Sequence, residues 1–383
     1  MKSDFIIVGS GIIGMCLALS LSRFKKKIII VEKDISSVLN IKRIYTLSEK
    51  TKNLLEELDI WNNVENINNL NGMEIYYRSF NDKNSICFSK EIKNTIGYVV
   101  KSNELAKVLY NIISKNKNIE LLNNNILKKI HKTKDSVTIE LENNQIIESK
   151  FLFSCEGKKS SIKEKLDIID LNDDYDSKAI VFNIKHDIDN KNIAHQVFLE
   201  SGPIAFLPID NFNYSMVMSI KNNFFDNNIY KNENLVEYLQ KITENKFGKI
   251  KLKDKVMSFD LIGHDSEKYV YENIVFVGDS AHSVHPLAGM GLNLGISDII
   301  EISDIFKNKK RSMDDRNIFG LYGRKQKIVN RYARQQLKTI ERIYSIENKI
   351  FSKILNLASR RLQNSIFFKK KIIEHANNNL DFF

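Results

Sequence analysis

The N-terminal segment combines glycines, apolar runs and an acidic residue in a spacing that is typical of dinucleotide binding. Phe5–Val8 is a short apolar run, and it leads into the three glycines of a G-x-G-x-x-G pattern, Gly9, Gly11 and Gly14. A helical pattern then connects to a second apolar run, Ile28–Val31, which ends at Glu32. This order of strand, glycine-rich turn, helix and strand predicts that the turn binds a dinucleotide.

Each residue of this turn has a physical task if a dinucleotide binds. Gly9 permits the tight turn, Gly11 lets the main chain approach a pyrophosphate, and Gly14 lets the helix pack against the strand. The main-chain N–H groups around Ile13 and the positive end of the helix point at the phosphates. The Glu32 carboxylate can accept hydrogen bonds from ribose hydroxyls. An ordinary glycine-rich turn is the alternative, and the turn alone does not distinguish FAD from NAD.

A second glycine-rich segment follows the apolar run Ile274–Val277. It reads G-D-S-A-H-S-V-H-P-L-A-G-M-G-L-N-L-G from residue 278 to residue 295, and Asp298 comes shortly after it. Only three prolines occur in the chain, and one of them, Pro286, stands in this segment. Because proline restricts the main chain, its position here indicates a rigid loop.

The histidines of this segment allow two further interpretations. His282 and His285, taken with Asp279, could be read as a metal site, but helical spacing means little in a proline-containing loop and no fourth ligand is apparent. No metal is therefore expected. His285 is also a candidate general base, and a structural role in placing the loop is the alternative.

Length and composition describe an ordinary globular chain. The 383 residues suffice for two domains, and 43% of them are hydrophobic. No run of about 18 apolar residues occurs, and the first apolar stretch ends at once in Gly9, so neither a membrane span nor a secretory signal is expected. The cysteines are widely spaced and form no C-x-x-C pair, which favours a reducing cytoplasm over disulfides or zinc: Cys16, Cys87 and Cys155.

The formal net charge of +11 has a compositional explanation. Lysine supplies 47 of the 58 basic residues, while asparagine and isoleucine are abundant and proline is scarce, as in proteins of AT-rich genomes. The charge is therefore weak evidence for an anionic partner. No base-reading motif accompanies it, so nucleic-acid binding is not expected.

The periodicity of apolar residues predicts an α/β fold with an inserted sheet. Strands and helices alternate at both ends of the chain, whereas residues 178–262 follow a period of two that is typical of an antiparallel sheet. The predicted nucleotide-binding domain is discontinuous and comprises residues 1–70, 97–175 and 267–340. The inserted, sheet-based domain comprises residues 71–96 and 176–266, and residues 341–383 form a C-terminal amphipathic helical segment.

In this C-terminal segment, apolar residues recur at helical spacing between cations. The apolar positions are Ile343, Ile346, Ile350, Phe351, Ile354, Leu355, Ala358 and Leu362. The cations among them are Lys349, Lys353, Arg360 and Arg361. A helix packed on the nucleotide-binding domain, a helix lying on a membrane surface and a helix that binds a protein partner are three interpretations of this pattern.

The segment from Gly278 to Asp298 resembles the signature of the ubiquinone-biosynthesis hydroxylases, H-P-[apolar]-[A/G]-G-Q-G-x-N-x-G-x-x-D, preceded by the G-D-A-A-H of flavoprotein monooxygenases. The resemblance implies that Asp279 hydrogen-bonds the flavin ribityl chain and that Pro286 lies against the isoalloxazine ring. It also implies that a helix begins at the flavin pyrimidine edge with residues Gly289, Met290, Gly291, Leu292 and Asn293. Met290 stands where the family usually has glutamine.

Three shorter stretches support the resemblance. Arg43 begins a run that is similar to the family's R-x-x-A-L, where the arginine approaches the flavin, although a surface arginine is the alternative. Residues 151–163 resemble the A-D-G-x-x-S-x-V-R motif, with Glu156 in place of aspartate and Lys163 in place of arginine. Residues 202–208 resemble the G-P-x-A-x-L-P strand of the family's substrate domain.

The resemblance implies a para-hydroxybenzoate-hydroxylase-like α/β fold, in which a Rossmann-type FAD-binding domain carries an inserted antiparallel substrate sheet and C-terminal helices. It implies FAD as cofactor, reduced nicotinamide or another electron donor, and hydroxylation by O2 of the ring of a polyprenylated phenol in ubiquinone biosynthesis. A cytoplasmic location with contact to the inner face of the cytoplasmic membrane, and membership of a biosynthetic complex, are further expectations. A prenyl-chain reductase of the same fold and a non-catalytic FAD-bound subunit are the alternatives.

Overall fold

The computed structural model describes residues 1–80, 85–89, 95–225, 232–283, 290–307, 315, 317–345, 359 and 361–377. Its strands are β1 Lys2–Val8, β2 Ile28–Val31, β3 Ile44–Leu47, β4 Asn68–Leu70, β5 Gly72–Tyr77, β6 Ile86–Ser89, β7 Gly97–Lys101, β8 Ile119–Leu122, β9 Leu127–Lys132, β10 Val137–Leu141, β11 Ile146–Ser154, β12 Asp170–Lys185, β13 Ile193–Leu199, β14 Gly202–Asp210, β15 Asn213–Lys221, β16 Lys251–Leu252, β17 Met257–Ser266, β18 Val270–Tyr271, β19 Ile274–Phe276 and β20 His282–Ser283. Its helices are α1 Ile12–Ser22, α2 Ile35–Asn40, α3 Glu49–Glu57, α4 Ser102–Ile113, α5 Ser161–Lys165, α6 Asn232–Thr243, α7 Met290–Lys307, α8 Gly320–Ser345 and α9 Ile366–Asn377. Short 3-10 helices occupy Trp61–Asn63, Asn222–Phe224 and Gly278–Ser280.

A largely parallel sheet forms the first core. Strands β19, β11, β1, β2 and β8 lie side by side in parallel. Phe5 and Ile7 of β1 pack on one face with residues of α1, α4 and α7. Ile6 and Val8 pack on the other face with residues of the β9–β10 hairpin. Since both faces are covered, these strands are continuous apolar runs.

An antiparallel sheet forms the second core. Its strand order is β20-β17-β12-β15-β14-β13-β5-β6, with β16 also paired to β12 and only the β13–β5 pair parallel among its described strands. On one face, Phe182, Phe206 and Met216 are buried in a cluster that also contains Leu235 and Leu239 of α6. The alternation of strand side chains leaves a second face that points away from α6.

A small sheet, β3-β7-β4, joins the two cores. Along β7, Tyr98 and Val100 are buried in the core of the parallel sheet. Val99, which points the other way, packs with Ala194 of β13 and is joined by Leu207 of β14. The two larger sheets are therefore held against each other at this point.

The predicted α/β class is confirmed, and so is the inserted antiparallel sheet. The division into domains stays a prediction. The second sheet begins at Asp170 in β12 and also includes β20. Both places fall within the residue ranges that are predicted for the nucleotide-binding domain. Of the apolar positions expected in the C-terminal amphipathic segment, those from Ile346 to Ala358 lie outside the described residues.

Candidate functional site

The first glycine turn is built by close contacts that only glycine permits. Gly9 has a φ of +99°, and a Cβ on it would lie 2.4 Å from the main-chain oxygen of Cys155 at the end of β11. A Cβ on Gly14 would lie 2.0 Å from the main-chain oxygen of Gly9. These two positions therefore lock β1, α1 and β11 together at the carboxyl edge of the parallel sheet.

Gly11 differs from its two neighbours because it faces open space. Among the described residues, no atom lies within 4 Å of a Cβ built on it, and no side chain among them caps the helix that begins at Ile12. The first N–H groups of an α-helix have no partner within the helix. The positive end of α1 thus borders free volume, which fits the pyrophosphate of a dinucleotide.

Glu32 is buried at the end of β2 and stabilises this turn through hydrogen bonds. Its Oε2 accepts hydrogen bonds from the Ser10 main-chain N–H at 2.7 Å and from the Ser10 hydroxyl at 2.9 Å. Its Oε1 accepts from the main-chain N–H of Asp34 at 3.0 Å. A carboxylate oxygen can accept two hydrogen bonds, so Oε1 retains capacity for a ribose hydroxyl. The predicted ribose contact stays a prediction.

The two glycine-rich segments meet at Ile13. A Cβ on Gly278 would lie 3.3 Å from the Ile13 side chain, and a Cβ on Gly295 would lie 2.7 Å from its Cδ1 atom. The Ile13 side chain thus fills the junction between α1, α7 and the Gly278 turn. Any contact of Ile13 with a cofactor would come from its main chain.

Asp298 and His282 anchor the second glycine turn. The Asp298 carboxylate accepts a hydrogen bond from the main-chain N–H of Gly278 at 2.8 Å and pairs with the His282 Nε2 at 2.8 Å. Both side chains are buried. Burial disfavours the imidazolium, but the charge and the hydrogen bond of Asp298 outweigh it and raise the pKa of His282. Sequence reasoning assigned neither residue this role, and only the position of Asp298 in the family signature hinted at it.

Asp279 and Arg43 come from distant parts of the sequence but lie near enough for their charges to interact. Surrounding protein removes water from the Asp279 carboxyl and raises its pKa, while the nearby charges of His282 and Arg43 act in the opposite direction. The Asp279 side chain is nevertheless open to solvent, so it lines a cleft. Burial raises the pKa of Tyr45, while the charge of Arg43 lowers it and the charge of Asp279 raises it further. A carboxylate in such a cleft can accept hydrogen bonds from sugar-like hydroxyls.

The first turn of α7 contains one open position and three side chains that point into the protein. In the part of the chain that the structure describes, no atom lies within 4 Å of a Cβ built on Gly291. Met290 packs on a cluster formed by Leu294, Val329 and Ala333, and Leu292 is buried in the first core. The methionine that replaces the family's glutamine therefore has an apolar place to pack.

Asn293 ties α7 to the elements that follow Arg43. Its Oδ1 accepts hydrogen bonds from the Ser48 main-chain N–H at 3.0 Å and from the Thr51 hydroxyl at 2.7 Å. Its Nδ2 donates to the Thr46 main-chain oxygen at 2.8 Å. These bonds position β3 and α3, so contact between Asn293 and a cofactor would involve its main chain.

The two departures in the 151–163 motif have structural partners. The Glu156 carboxylate accepts hydrogen bonds from the Ser160 and Ser161 hydroxyls at 2.8 and 2.6 Å and from the main-chain N–H of Ile162 at 3.2 Å. It therefore caps α5. The Lys163 ammonium is buried and donates to Asp170 at 2.7 Å. Both charges are thus engaged within the protein.

Three predicted site residues, His285, Pro286 and Gly289, lie outside the described residues. Among the residues that are described, no group of three or more histidine, cysteine, aspartate or glutamate side chains is arranged to hold a metal ion.

Buried histidine near this site predicts a loss of stability in acid. Burial, and then the charges of Lys163, His282 and Lys158, lower the pKa of His264 from 6.5 to about 3. Between these values the unfolded chain binds a proton that the folded chain does not, so stability falls as pH drops below 6.5, by about 1.4 kcal/mol per pH unit for this group.

Urea unfolding of the wild type and of His264→Gln at about pH 7.5 and about pH 5.5 measures this loss. The pKa of His282 is raised, so protonation of His282 stabilises the folded protein as pH falls. This effect is present in the wild type and in the variant and therefore cancels when their losses of stability are compared. We expect the variant to lose less stability than the wild type over this range. Equal losses would contradict the assignment.

Comparisons with known proteins agree with this geometry. A protein family described as "FAD binding domain" matches residues 2–330. The "Ubiquinone biosynthesis monooxygenase COQ6, mitochondrial" of Dictyostelium discoideum is 23% identical, with 97% of this chain and 90% of that protein covered. The "3-demethoxyubiquinol 3-hydroxylase" of Escherichia coli is 23% identical, with 80% of each chain covered.

Among solved structures, the p-nitrophenol 4-monooxygenase PnpA of Pseudomonas putida superposes with a TM-score of 0.82 over 98% of both chains, at 14% identity. At this identity the likeness shows a shared fold. The family match begins before the first glycine turn and ends within α8, so it includes every described element of the cleft. The chain therefore belongs to the family described as FAD binding domain, and FAD is its cofactor.

Proposed function

We propose that the protein is an FAD-dependent monooxygenase that hydroxylates the aromatic ring of a polyprenylated phenol in ubiquinone biosynthesis. The observation that carries the proposal is the meeting of both glycine-rich segments at Ile13, beside the solvent-facing carboxylate of Asp279. This arrangement fits one elongated cofactor that extends from Gly11 to Gly291. The names of the relatives from Dictyostelium and Escherichia coli support ring hydroxylation as the reaction.

When bound, FAD supplies the redox chemistry that lets O2 react with the ring. The residues of this chain hold and polarise the cofactor. The free N–H groups of α1 bind phosphate, and the Asp279 carboxylate accepts hydrogen bonds from hydroxyls. The N-terminus of α7 at Gly291 places the positive end of a helix where negative charge on a flavin ring is stabilised.

The open face of the antiparallel sheet is the surface that we propose for the substrate ring. Gln196, Ala205, Val217 and Val181 are paired in this order across β13, β14, β15 and β12, so their side chains share a face. The side chains of Ala205, Val217 and Val181 are partly exposed. Ala194 and Leu207 on the same face pack near Ile44, which follows Arg43. An apolar surface beside the cleft suits an aromatic ring.

Isotope labelling distinguishes the proposed reaction from its alternatives. The FAD-loaded protein is incubated with a polyprenylated phenol, a chemical reductant for the flavin and ¹⁸O2, and the product is analysed by mass spectrometry. We expect one labelled oxygen atom in the ring hydroxyl of the product. Reduction of the prenyl chain without label would indicate a reductase, and no turnover with any of the phenol precursors would indicate a non-catalytic subunit.

A membrane surface and a complex of ubiquinone-biosynthesis proteins are the partners that we propose. The polyprenyl chain of the proposed substrate partitions into lipid, so an enzyme at the inner face of the cytoplasmic membrane can reach it. Within the described helices, none is both long and apolar enough to cross a bilayer.

A further inference from the structure

Helix α9, Ile366–Asn377, lies on the edge of the antiparallel sheet. Its Ile373 is buried against Ile86 and Phe88 of the edge strand β6. The Lys369 ammonium donates a hydrogen bond to the Cys87 main-chain oxygen at 2.9 Å, and the side chain of Gln363, just before the helix, accepts one from the Cys87 N–H at 2.8 Å. One side of α9 is therefore fixed on β6.

The remaining surface of α9 exposes large apolar side chains. The exposed fractions are 70% for Ile366, 63% for Phe367, 58% for Phe368 and 43% for Ile372. The two phenyl rings contact each other, with centroids 5.7 Å apart. An exposed group of aromatic and aliphatic side chains on a folded protein marks an interaction surface.

Exposed cations accompany these apolar side chains. Residues 361–374 contain one acid and four cations, of which only Lys369 is buried: Glu374, Arg361, Lys369, Lys370 and Lys371. Lys370 and Lys371 are exposed, and the Lys371 ammonium lies 4.9 Å from the centre of the Phe367 ring. Such a surface is complementary to an anionic one that also accepts apolar groups.

We propose that this surface of α9 docks the protein on an anionic lipid bilayer, with Phe367 and Phe368 in the interface and Lys370 and Lys371 on the headgroups. The proposal specifies the membrane contact named under the proposed function and rests on it. Residues 366–368 are three consecutive apolar residues, so their side chains point in different directions around the start of the helix. They do not form one apolar stripe along it. A fluid bilayer accepts that distribution, whereas a groove on a partner protein selects apolar residues at i, i+3 and i+4.

This docking orients the substrate sheet. Since α9 covers β6, contact between α9 and lipid brings the β5–β6 edge of the antiparallel sheet toward the membrane. The predicted C-terminal amphipathic segment spans residues 341–383, and membrane contact is one of its three interpretations. The exposed apolar surface that the structure describes lies within this segment, at residues 366–372.

Vesicle flotation of the full-length, FAD-loaded protein tests the proposal. Vesicles of phosphatidylcholine with roughly one-quarter phosphatidylglycerol are compared with pure phosphatidylcholine vesicles. We expect the protein to float with the anionic vesicles, and Phe367→Ser/Phe368→Ser to lower the bound-to-free ratio by about tenfold or more. Lys370→Gln/Lys371→Gln should lower it by about tenfold on anionic vesicles and little on neutral ones.

The matched control is Phe212→Ser/Phe224→Ser. It removes two phenyl rings that are also exposed, 44% and 38%, but lie in the β14–β15 turn and after β15. This control should float like the wild type. Equal flotation of the Phe367/Phe368 variant and the wild type would overturn the proposal, as would absence of the wild type from anionic vesicles at low salt. A fall in lipid-free oligomeric mass in the Phe367/Phe368 variant would instead assign the surface to a second copy of the chain.

Flotation requires no turnover, so its outcome is independent of the proposed reaction. Hydroxylation of a short-chain, water-soluble phenol should be the same in the wild type and in the Phe367/Phe368 variant. If no phenol is hydroxylated but the protein still binds anionic vesicles, the proposed reaction fails and the docking surface stands.

Discussion

Replacing Gly11 with valine is expected to weaken FAD binding strongly in a protein that remains folded. The main-chain angles at Gly11, φ −59° and ψ 175°, suit any residue, and a Cβ at this position meets no atom of the described residues within 4 Å. The valine side chain would instead occupy the space in front of the α1 N-terminus. Loss of two charge-assisted hydrogen bonds to phosphate should weaken FAD binding by about a hundredfold to ten-thousandfold.

Titration of the apoprotein with FAD, followed by flavin fluorescence, measures this effect, and thermal unfolding of the same apoprotein tests whether it is folded. Gly320→Val is the control, because among the described residues its Cβ would meet only Asn317, at 3.9 Å, and because α8 begins there, away from the cleft. Gly14→Ala should behave differently and fail to fold, since its Cβ would lie 2.0 Å from a main-chain oxygen. Wild-type affinity for FAD in Gly11→Val would refute the assignment of this turn.

Replacing Asp298 with alanine is expected to lower the free energy of unfolding by about 3–5 kcal/mol, the cost of breaking a buried ion pair. The change leaves the His282 imidazole and the Gly278 N–H without their acceptor in a buried place. Asp279, whose carboxylate we propose to bind FAD hydroxyls, directly follows Gly278. Because loss of the Gly278 hydrogen bond should displace this turn, we also expect the affinity for FAD to fall.

Urea unfolding at neutral pH provides the measurement. Asp304→Ala on the same helix is the matched control. Asp304 is exposed, and its ion pair with Lys307, at 3.5 Å, lies at the surface of the protein. Surface pairs contribute about 0–1 kcal/mol, so this control should change little. If Asp298→Ala loses no more stability than Asp304→Ala, the buried pair does not anchor the second turn.

The parts of the site that sequence predicted well are those fixed by local rules. The turn from Gly9 to Gly14 has a spacing that is typical of one β-α-β unit, and the structure has β1, α1 and β2 at these places. The period of two in residues 178–262 likewise predicted the antiparallel sheet, because alternation is a property of each strand.

What sequence could not predict depends on contacts between distant residues. Nothing near Ile13 indicates that its side chain fills the space over Gly278 and Gly295, more than 260 residues later. The pairing of Asp298 with His282 and the use of the Asn293 amide on β3 and α3 arise in the same way, from the packing of α7. The apolar surroundings of Met290, which stands where the family usually has glutamine, also arise from the packing of α7.

A crystal structure of the FAD-loaded protein tests most directly whether one FAD joins the two glycine-rich segments. We expect density for a single FAD per chain, with its pyrophosphate at the N-terminus of α1 beside Gly11, its ribityl chain at Asp279 and its ring at Gly291. Density that places the flavin elsewhere, or that shows Gly11 and Gly291 opening onto separate cavities, would contradict the account.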